Sequence, residues 1–468
     1  MAEPGQERGR YFLDPFGCAK NQVDAETMMA VLDRSAWSRV EDSDDADLII
    51  VNSCGFIESA KQESINAVIS YRKLYPDKKI LLTGCLAQRY AEELPASLTE
   101  ADGLFGNADL PAIADAANSI FKKPGASGEP PAGLSPLPVS PSLLAARPLL
   151  SLPGQAYVKI SEGCDNRCAF CAIPLIRGPL RSRPVEEVTD ECRGLLDRGV
   201  REICLVGQDL GSYGRDLDGK RGETKLPELL EALSALDGHF WTRLLYIHPD
   251  HFPRPILDIC RRDSRILPYF DLPFQHGSAG ILRAMGRRGD GEAYLRLIAE
   301  IRDALPDAAL RSTFLTGFPG ETEEDFRRLL DFQARADLDW LGVFAYSREE
   351  NTPACSMKGQ VSGKIADQRK TIVEEQQTGI SEKRMDRFVG RVMEALVEEA
   401  VDPLSIGLQP AGLQRGDQEH LYLGRLYCQA PEVDGLVTLR SGRPLVPGTF
   451  VRGRISARTG FDLEMDLS

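Results

Sequence analysis

Three cysteines, Cys164, Cys168 and Cys171, fall in the stretch Gly163-Cys164-Asp165-Asn166-Arg167-Cys168-Ala169-Phe170-Cys171, and their spacing constrains this chain more than any other feature. Three thiolates this close in sequence can hold three irons of a cubane cluster and leave the fourth iron without a protein ligand. A structural zinc site wants a fourth Cys or His to close its tetrahedron. The next histidine, His239, shows no zinc-finger spacing. Three incidental core cysteines are the remaining reading. The run Tyr157-Val158-Lys159-Ile160-Ser161 reads as a strand, so the triplet belongs to the loop that leaves its end.

A chain of 468 residues is too long for one ordinary core and implies two to four domains. Its apolar content of 42% is that of a globular protein. No apolar run approaches the roughly 18 residues of a membrane span, and the N-terminus lacks a signal-peptide core, so no membrane role and a cytoplasmic location are expected. Eleven cysteines, an odd count spread through a large chain, argue for metal ligands and buried thiols over a disulfide framework. The formal charge of -14 suits a basic partner better than a polyanion.

The fold class expected is α/β with a small β-barrel at the end. Residues 1–122 alternate short apolar runs with helical patterns. Asp47 to Asn52 and Lys79 to Gly84 read as buried strands, with helical spacing from Ile57 to Leu74 between them, as in a doubly wound domain. Residues 123–153 are rich in Pro, Ala, Ser and Gly and read as a linker that holds neither ladder nor helix for long. Within 154–385, strands are expected at 156–161, 202–207, 243–248, 268–274, 310–316 and 340–346, giving six βα units of an incomplete parallel barrel. Residues 386–457 change to short strands and turns, including Leu421 to Leu426 and Gly448 to Gly453, and read as a small β-barrel.

Cys18, Cys54 and Cys85 share no linear motif, being 36 and 31 residues apart. Each nevertheless lies just past an expected strand, Tyr11 to Phe16 being the weakest of the three because Asp14-Pro15 interrupts it. In an open parallel sheet the carboxyl ends of neighbouring strands face one crevice, where ligands bind. The three thiols could converge there on a second metal centre, or could simply be small residues packed under loops.

The Cys-x3-Cys-x2-Cys loop after a strand resembles the radical S-adenosylmethionine superfamily. Gly17-Cys18-Ala19-Lys20-Asn21, Val51-Asn52-Ser53-Cys54-Gly55-Phe56-Ile57, Thr83-Gly84-Cys85 and Arg177-Gly178-Pro179-Leu180-Arg181-Ser182-Arg183 resemble motifs of its methylthiotransferase family. The stretches Asn52 to Asn66 and Ala430-Pro431-Glu432-Val433-Asp434-Gly435 are most similar to the ribosomal-protein (RimO-type) branch. Pro15-Phe16 departs from the Ser-Leu pair usual before the first motif and puts only the local strand edge in doubt. The resemblance implies a methylthiotransferase domain, a radical domain and an RNA-binding-type barrel known as TRAM, in that order. It implies two 4Fe-4S clusters, one on Cys164, Cys168 and Cys171 and one on Cys18, Cys54 and Cys85, with S-adenosylmethionine as both radical source and methyl donor. It further implies an electron donor such as a flavodoxin or a ferredoxin.

Barrel geometry adds candidates at strand ends. Gln208 and Asp209, His248, Gln275 and His276, and the turn Gly317-Phe318-Pro319-Gly320 occupy such positions, and Phe170 takes the aromatic position that the superfamily places near adenine. Of these, Phe170, Gln208, His248, Gln275, Gly317 and Pro319 are the candidate cofactor contacts. A satisfied strand-end histidine remains an alternative for His248, and turn chemistry alone for Gly317 to Gly320. Glu321 to Asp325 reads as the acidic first turn of the following helix. Cys192, Cys204, Cys260, Cys355 and Cys428 read as structural.

The resemblance implies methylthiolation of the β-carbon of an aspartate in a small-subunit ribosomal protein. Methylthiolation of an isopentenyl-type adenosine in transfer RNA, as in MiaB-type relatives, is the alternative, and an iron–sulfur scaffold or sulfur carrier without radical chemistry is a third reading. From Asp386 to Arg454 eight Arg and no Lys face nine Asp plus Glu. A barrel that tracks phosphates should be distinctly basic. The expected partner is therefore the basic ribosomal protein, with RNA contact through the barrel the less favoured expectation.

Overall fold

The computed structural model describes residues 9–122, 139–217, 222–401 and 420–467. Its first sheet consists of β1 (Gly9–Pro15), β2 (Trp37–Arg39), β3 (Leu48–Ser53), β4 (Lys79–Gly84) and β5 (Gly103–Phe105) in the order β2-β1-β3-β4-β5. All its pairings are parallel. Alternate residues of β3 explain why it reads as a continuous apolar run. Leu48 and Ile50 join Met28, Leu32 and Ile113 on one face, while Ile49 and Val51 join Val68 and Leu86 on the other. Burial on both faces is what parallel crossovers impose. Asp14-Pro15 does not break β1, since Pro15 is its last residue, where no further ladder donor is needed.

The helix Ala19–Arg34 follows β1 and has an unusual interior, burying Lys20, Asn21, Asp24, Glu26 and Thr27. It is covered by the first sheet on one side and by later parts of the chain on the other. Asp24 meets Lys159, and Glu26 accepts from Arg147 Nε at 2.9 Å.

The described end of the 123–153 stretch is packed between the domains. Ser140 caps a six-residue helix, Pro141–Ala146, whose Leu143 and Leu144 are buried. The fully buried Arg147 then joins Glu26 of the first domain to Glu191 of the next. Residues 123–138 of the expected linker lie outside the described residues.

The second sheet is built from β6 (Gln155–Lys159), β9 (Glu202–Val206), β10 (Trp241–Leu244), β11 (Ile266–Asp271), β12 (Ala309–Thr316) and β13 (Trp340–Ala345), while β7 (Ser161–Glu162) and β8 (Arg181–Ser182) form a separate antiparallel pair. The order β13-β12-β11-β10-β9-β6 is that of an open, six-stranded parallel barrel. Two expected strands are displaced. The third was expected at 243–248 but ends at Leu244, because Tyr246 takes a left-handed φ of 67° that no ladder continues through. The fourth was expected at 268–274 but ends at Asp271, and Gln275 turns with φ 72°.

A closed barrel of β14 (Val392–Val401), β15 (His420–Leu426), β16 (Val437–Ser441), β17 (Phe450–Thr459) and β18 (Asp462–Asp466) follows, in the order β14-β15-β16-β18-β17. The expected boundary at 457 is too early, because β18 closes the barrel by pairing with both β16 and β17. The motif Ala430 to Gly435 docks this barrel on the radical sheet. Asp434 is buried there, accepts from Tyr269 OH at 2.6 Å and faces Arg311 at 3.3 Å. Burial pushes the Asp434 carboxyl up to about 6. Nearby, Arg243 and Arg425 clamp the buried Glu202 at 2.7 and 2.5 Å. Among the described residues no helix is long and apolar enough to cross a membrane.

Two cysteine centres and the candidate active site

The Cys164–Cys171 loop is held from four directions. Gly163 turns with φ 69°, and a Cβ there would lie 2.0 Å from the Pro179 carbonyl oxygen, so only glycine fits. The Cys164 amide donates to the Gly178 carbonyl at 3.0 Å, and the Ala169 amide to Met285 at 2.9 Å. The Ala354 amide donates to the Ala169 carbonyl at 2.9 Å. Asn166 Nδ2 donates to Asp209 Oδ2 at 2.9 Å. All three thiols are half-buried. Burial pushes Cys164 and Cys171 up to about 12, and it also raises Cys168 despite nearby Arg287.

A cavity of about 340 Å³ opens beside Cys168, lined by Asn166, Arg167, His248, Asp250, His251 and Arg288 among others. Asp209 organises its wall, taking Asn166 on one side and His251 Nδ1 at 2.8 Å on the other. Burial alone would raise its carboxyl, but the His251 hydrogen bond and nearby His248 hold it well below the usual carboxylate range. His248 is pushed down to about 3 by burial and by Arg287, whose Nη1 lies 2.7 Å from its Nε2. The ring is therefore neutral and accepts from the guanidinium.

His248 thus lines the cavity, although it stands four residues past the end of β10. Phe170, Gln208, Gln275, Gly317 and Pro319 are not among the residues lining it. Phe170 packs at the edge of an apolar cluster with Met285 and Phe318, and Gln208 is half-buried one residue before Asp209. Gln275 is buried, and its backbone pairs with β12. Glu321 lies outside the first turn of the helix Glu323–Ala336 and turns back to accept from the Gly317 and Phe318 amides at 2.8 and 3.2 Å. Arg369 anchors Glu321 at 2.8 Å, and His276 faces it at 3.6 Å. Sequence reasoning missed His251 and Arg287; the spacing of His248 and His251 just beyond an expected strand was the available signal. Cys192, Cys204, Cys260 and Cys428 are buried, in keeping with structural roles, and Cys355 is half-buried.

Cys18, Cys54 and Cys85 leave the carboxyl ends of β1, β3 and β4, which are neighbours in the sheet. Two glycines set how closely these ends approach. A Cβ on Gly17 would lie 3.0 Å from Cys54 Cβ, and one on Gly55 would lie 2.7 Å from the Cys85 carbonyl carbon. Cys18 is exposed, Cys54 half-buried and Cys85 buried. Desolvation opposes ionisation of Cys18, but the Lys20 and Arg177 cations and two backbone amides outweigh it and lower its pKa. Burial raises Cys54, and pushes Cys85 up to about 11.

Two bridges tie the centres together. The helix Ile173–Arg177 begins two residues after Cys171, and Ala172 and Ile176 pack on Cys85. Arg177 Nη2 donates to Cys85 Sγ at 3.1 Å. On the other side, Glu349 accepts from Arg89 Nη1 at 2.6 Å and Lys61 Nζ at 3.1 Å, and Arg89 Nη1 also reaches the Gly55 carbonyl at 3.0 Å. The segment carrying Glu349 continues to Ala354, which holds the radical loop.

An open parallel barrel with a Cys-x3-Cys-x2-Cys loop at its strand ends defines a radical S-adenosylmethionine protein. A model of the radical SAM superfamily matches residues 158–332, one described as uncharacterized protein family UPF0004 matches 10–106, and a TRAM domain model matches 389–467. The ribosomal protein uS12 methylthiotransferase RimO of Treponema denticola is 45% identical over 476 residues, spanning 97% of this chain and 99% of its own length. That of Pelotomaculum thermopropionicum is 41% identical over 456 residues, spanning 96% and 97%. The solved structure of the radical S-adenosylmethionine methyltransferase TsrM from Kitasatospora setae, with cobalamin and a 4Fe-4S cluster bound, shares the fold at a TM-score of 0.50 and 16% identity, over 74% of this chain and 73% of that one. The chain belongs to the RimO methylthiotransferase family and is a radical S-adenosylmethionine enzyme.

Membership implies 4Fe-4S clusters and S-adenosylmethionine, and the donor set fits them. Each triplet offers three free thiols. Among the described residues no three Cys, His, Asp or Glu side chains gather closely enough for a single metal ion. A cubane presents its irons on separate corners and takes thiolates spread wider than one ion's coordination sphere.

Proposed function

We propose that the chain transfers a methylthio group to the β-carbon of an aspartate in ribosomal protein uS12, using a 4Fe-4S cluster on Cys164, Cys168 and Cys171 and a second on Cys18, Cys54 and Cys85. One observation carries this reading: two cysteine triplets, each at the carboxyl edge of its own parallel sheet, are joined by a side chain that reaches from the helix following one triplet to a thiol of the other. When bound, the first cluster and S-adenosylmethionine supply a radical that removes hydrogen from an unactivated carbon, and the second presents the sulfur. The protein's own part is positional. Asp209 and Asn166 fix the radical loop at its open side, and the Gly163 turn and the Ala354 amide fix it elsewhere. Neutral His248, accepting from Arg287, keeps that cation turned toward the cavity wall. Phe170 on the cysteine loop, and Gln208, Gln275, Gly317 and Pro319 just beyond strand ends, serve as cofactor or substrate contacts. A small electron carrier of the flavodoxin or ferredoxin kind is the reductant.

Charge supports the protein substrate. From Asp386 to Asp466 nine Arg face twelve Asp plus Glu, so the complete barrel is more acidic than its first part. Such a field speeds encounter with a basic ribosomal protein and opposes a phosphate backbone. The test is mass spectrometry of ribosomal proteins and of digested transfer RNA from a strain lacking the gene. Loss of the methylthio mass on uS12 is expected. An unchanged uS12 alongside a missing modified adenosine overturns the choice of substrate.

A further inference from the structure

The motif Arg177 to Arg183 contains no cysteine, yet its first residue is buried between the two centres. Arg177 is 2% exposed. Its Nη1 donates to Glu162 Oε1 at 2.7 Å, and its Nη2 is shared between Asp24 Oδ2 at 2.9 Å and Cys85 Sγ at 3.1 Å. Lys159 also pairs with both Asp24 and Glu162. Two cations therefore meet two carboxylates, and this set is balanced before the sulfur is counted. A guanidinium needed only for that balance could turn both forks to carboxylate oxygens. Here one N–H is left for the thiol. Asn107 Nδ2 supplies a second, longer donor to the same sulfur at 3.5 Å.

The backbone next to Arg177 belongs to the other centre. Gly178 turns with φ 70°, and its carbonyl accepts the Cys164 amide at 3.0 Å. One dipeptide thus fixes the start of the radical loop with its main chain and a thiol of the strand-end triplet with its side chain. A donor on a ligand sulfur favours the reduced, more negative form of a cluster and so raises its reduction potential.

We propose that Arg177 is a positioning residue for the second centre, setting the reduction potential of its cluster through an N–H···S hydrogen bond to Cys85 and fixing its distance from the radical loop. This rests on the reading of Cys18, Cys54 and Cys85 as ligands of a second cluster. The test uses full-length protein with Cys164, Cys168 and Cys171 all changed to Ala, which leaves only that cluster. Redox titration followed by electron paramagnetic resonance reads its midpoint potential with Arg177 intact, with Arg177→Lys and with Asn107→Ala. Arg183→Lys is the control, because Arg183 holds Glu191 and the Lys159 carbonyl.

Arg177→Lys is expected to keep the charge, lower the potential and shift the spectrum of the reduced cluster. Asn107→Ala should lower the potential less, and Arg183→Lys should leave it in place. An unchanged potential in a fully loaded Arg177→Lys protein overturns the proposal. Absence of any iron–sulfur signal from the starting triple variant overturns instead the ligand assignment on which it rests. Should Arg177→Lys fail to load, the intact-Arg177 protein labelled with nitrogen-15 arginine decides the matter. A hyperfine coupling between cluster and arginine nitrogen is expected, and its absence overturns the proposal.

Discussion

The two cysteine centres differ in how the chain specifies them. Cys164, Cys168 and Cys171 share one loop, and their geometry is fixed by the loop's own hydrogen bonds to Gly178, Met285 and Ala354. Cys18, Cys54 and Cys85 come from three strands and meet only because β1, β3 and β4 are neighbours in the folded sheet. The first centre is written in spacing, the second in topology. Their electrostatics differ in the same sense. The loop thiols are all pushed up by burial, whereas the strand-end set includes one thiol, Cys18, that Lys20 and Arg177 draw down against desolvation.

The largest effect should come from separating the two outright. Cys168→Ala is expected to abolish formation of 5′-deoxyadenosine from S-adenosylmethionine. Cys54→Ala should spare most of it while eliminating methylthio transfer. Chromatography of the nucleoside beside iron analysis of each anaerobic protein checks this, each variant retaining roughly half of the wild-type iron on the proposed assignment of one cluster to each triplet. Equal loss of nucleoside in both variants would mean that the centres are one unit.

Glu349 tests whether the centres are held together from both sides. It is 2% exposed, and removing it leaves the enclosed Arg89 without a carboxylate, while Lys61 keeps Glu58 at 2.7 Å. Breaking such a pair costs about 3 kcal/mol. Glu349→Ala should therefore lower the melting temperature of the first domain and speed amide exchange around Gly55, as read by calorimetry and hydrogen exchange. Unchanged exchange at Gly55 would assign the coupling to Arg177 alone.

Legibility in the sequence followed the same division. The radical triplet was visible from spacing, and the six parallel strands from apolar runs that burial on both faces requires. The second triplet became visible only once three runs were placed as neighbouring strands. What stayed hidden was polar burial between domains. The helix Ala19–Arg34 carries Asp24 and Glu26 inward because Lys159, Arg177 and Arg147 arrive from elsewhere in the chain, and no local periodicity encodes such partners. The third strand was misplaced because Leu245 and Ile247 continue an apolar run past the left-handed Tyr246. The last strand was missed because Asp462-Leu463-Glu464-Met465-Asp466 alternates over only five residues.

Two glycines sharpen the comparison at smaller cost. Gly163→Ala would push a methyl to within 2.0 Å of the Pro179 carbonyl oxygen, and Gly55→Ala to within 2.7 Å of the Cys85 backbone. Each overpacking costs about 1–3 kcal/mol, and Gly163 adds strain from its positive φ. Each variant is expected to lose iron from its own centre only, measured as loss of nucleoside formation for Gly163→Ala and loss of sulfur transfer for Gly55→Ala.

The smallest expected difference lies in how each centre responds to pH. A thiol must lose its proton to bind iron, so assembly releases protons and weakens as pH falls. Each thiol whose pKa lies above the working pH contributes a factor of about ten in affinity per pH unit. In the loop triplet all three qualify between pH 6 and 8, since burial raises Cys168 and pushes Cys164 and Cys171 up to about 12. In the strand-end triplet Cys54 and Cys85 qualify, the latter at about 11, whereas Cys18 is lowered and has less proton to give up. Iron loading against a fixed chelator should therefore fall more steeply with acid at the loop centre than at the strand-end centre. The two triple-Ala proteins, each retaining one centre, permit the measurement at several pH values. Parallel slopes would show that Lys20 and Arg177 do not hold the Cys18 proton below that of its neighbours, and a steeper strand-end slope would reverse the electrostatic contrast between the two centres.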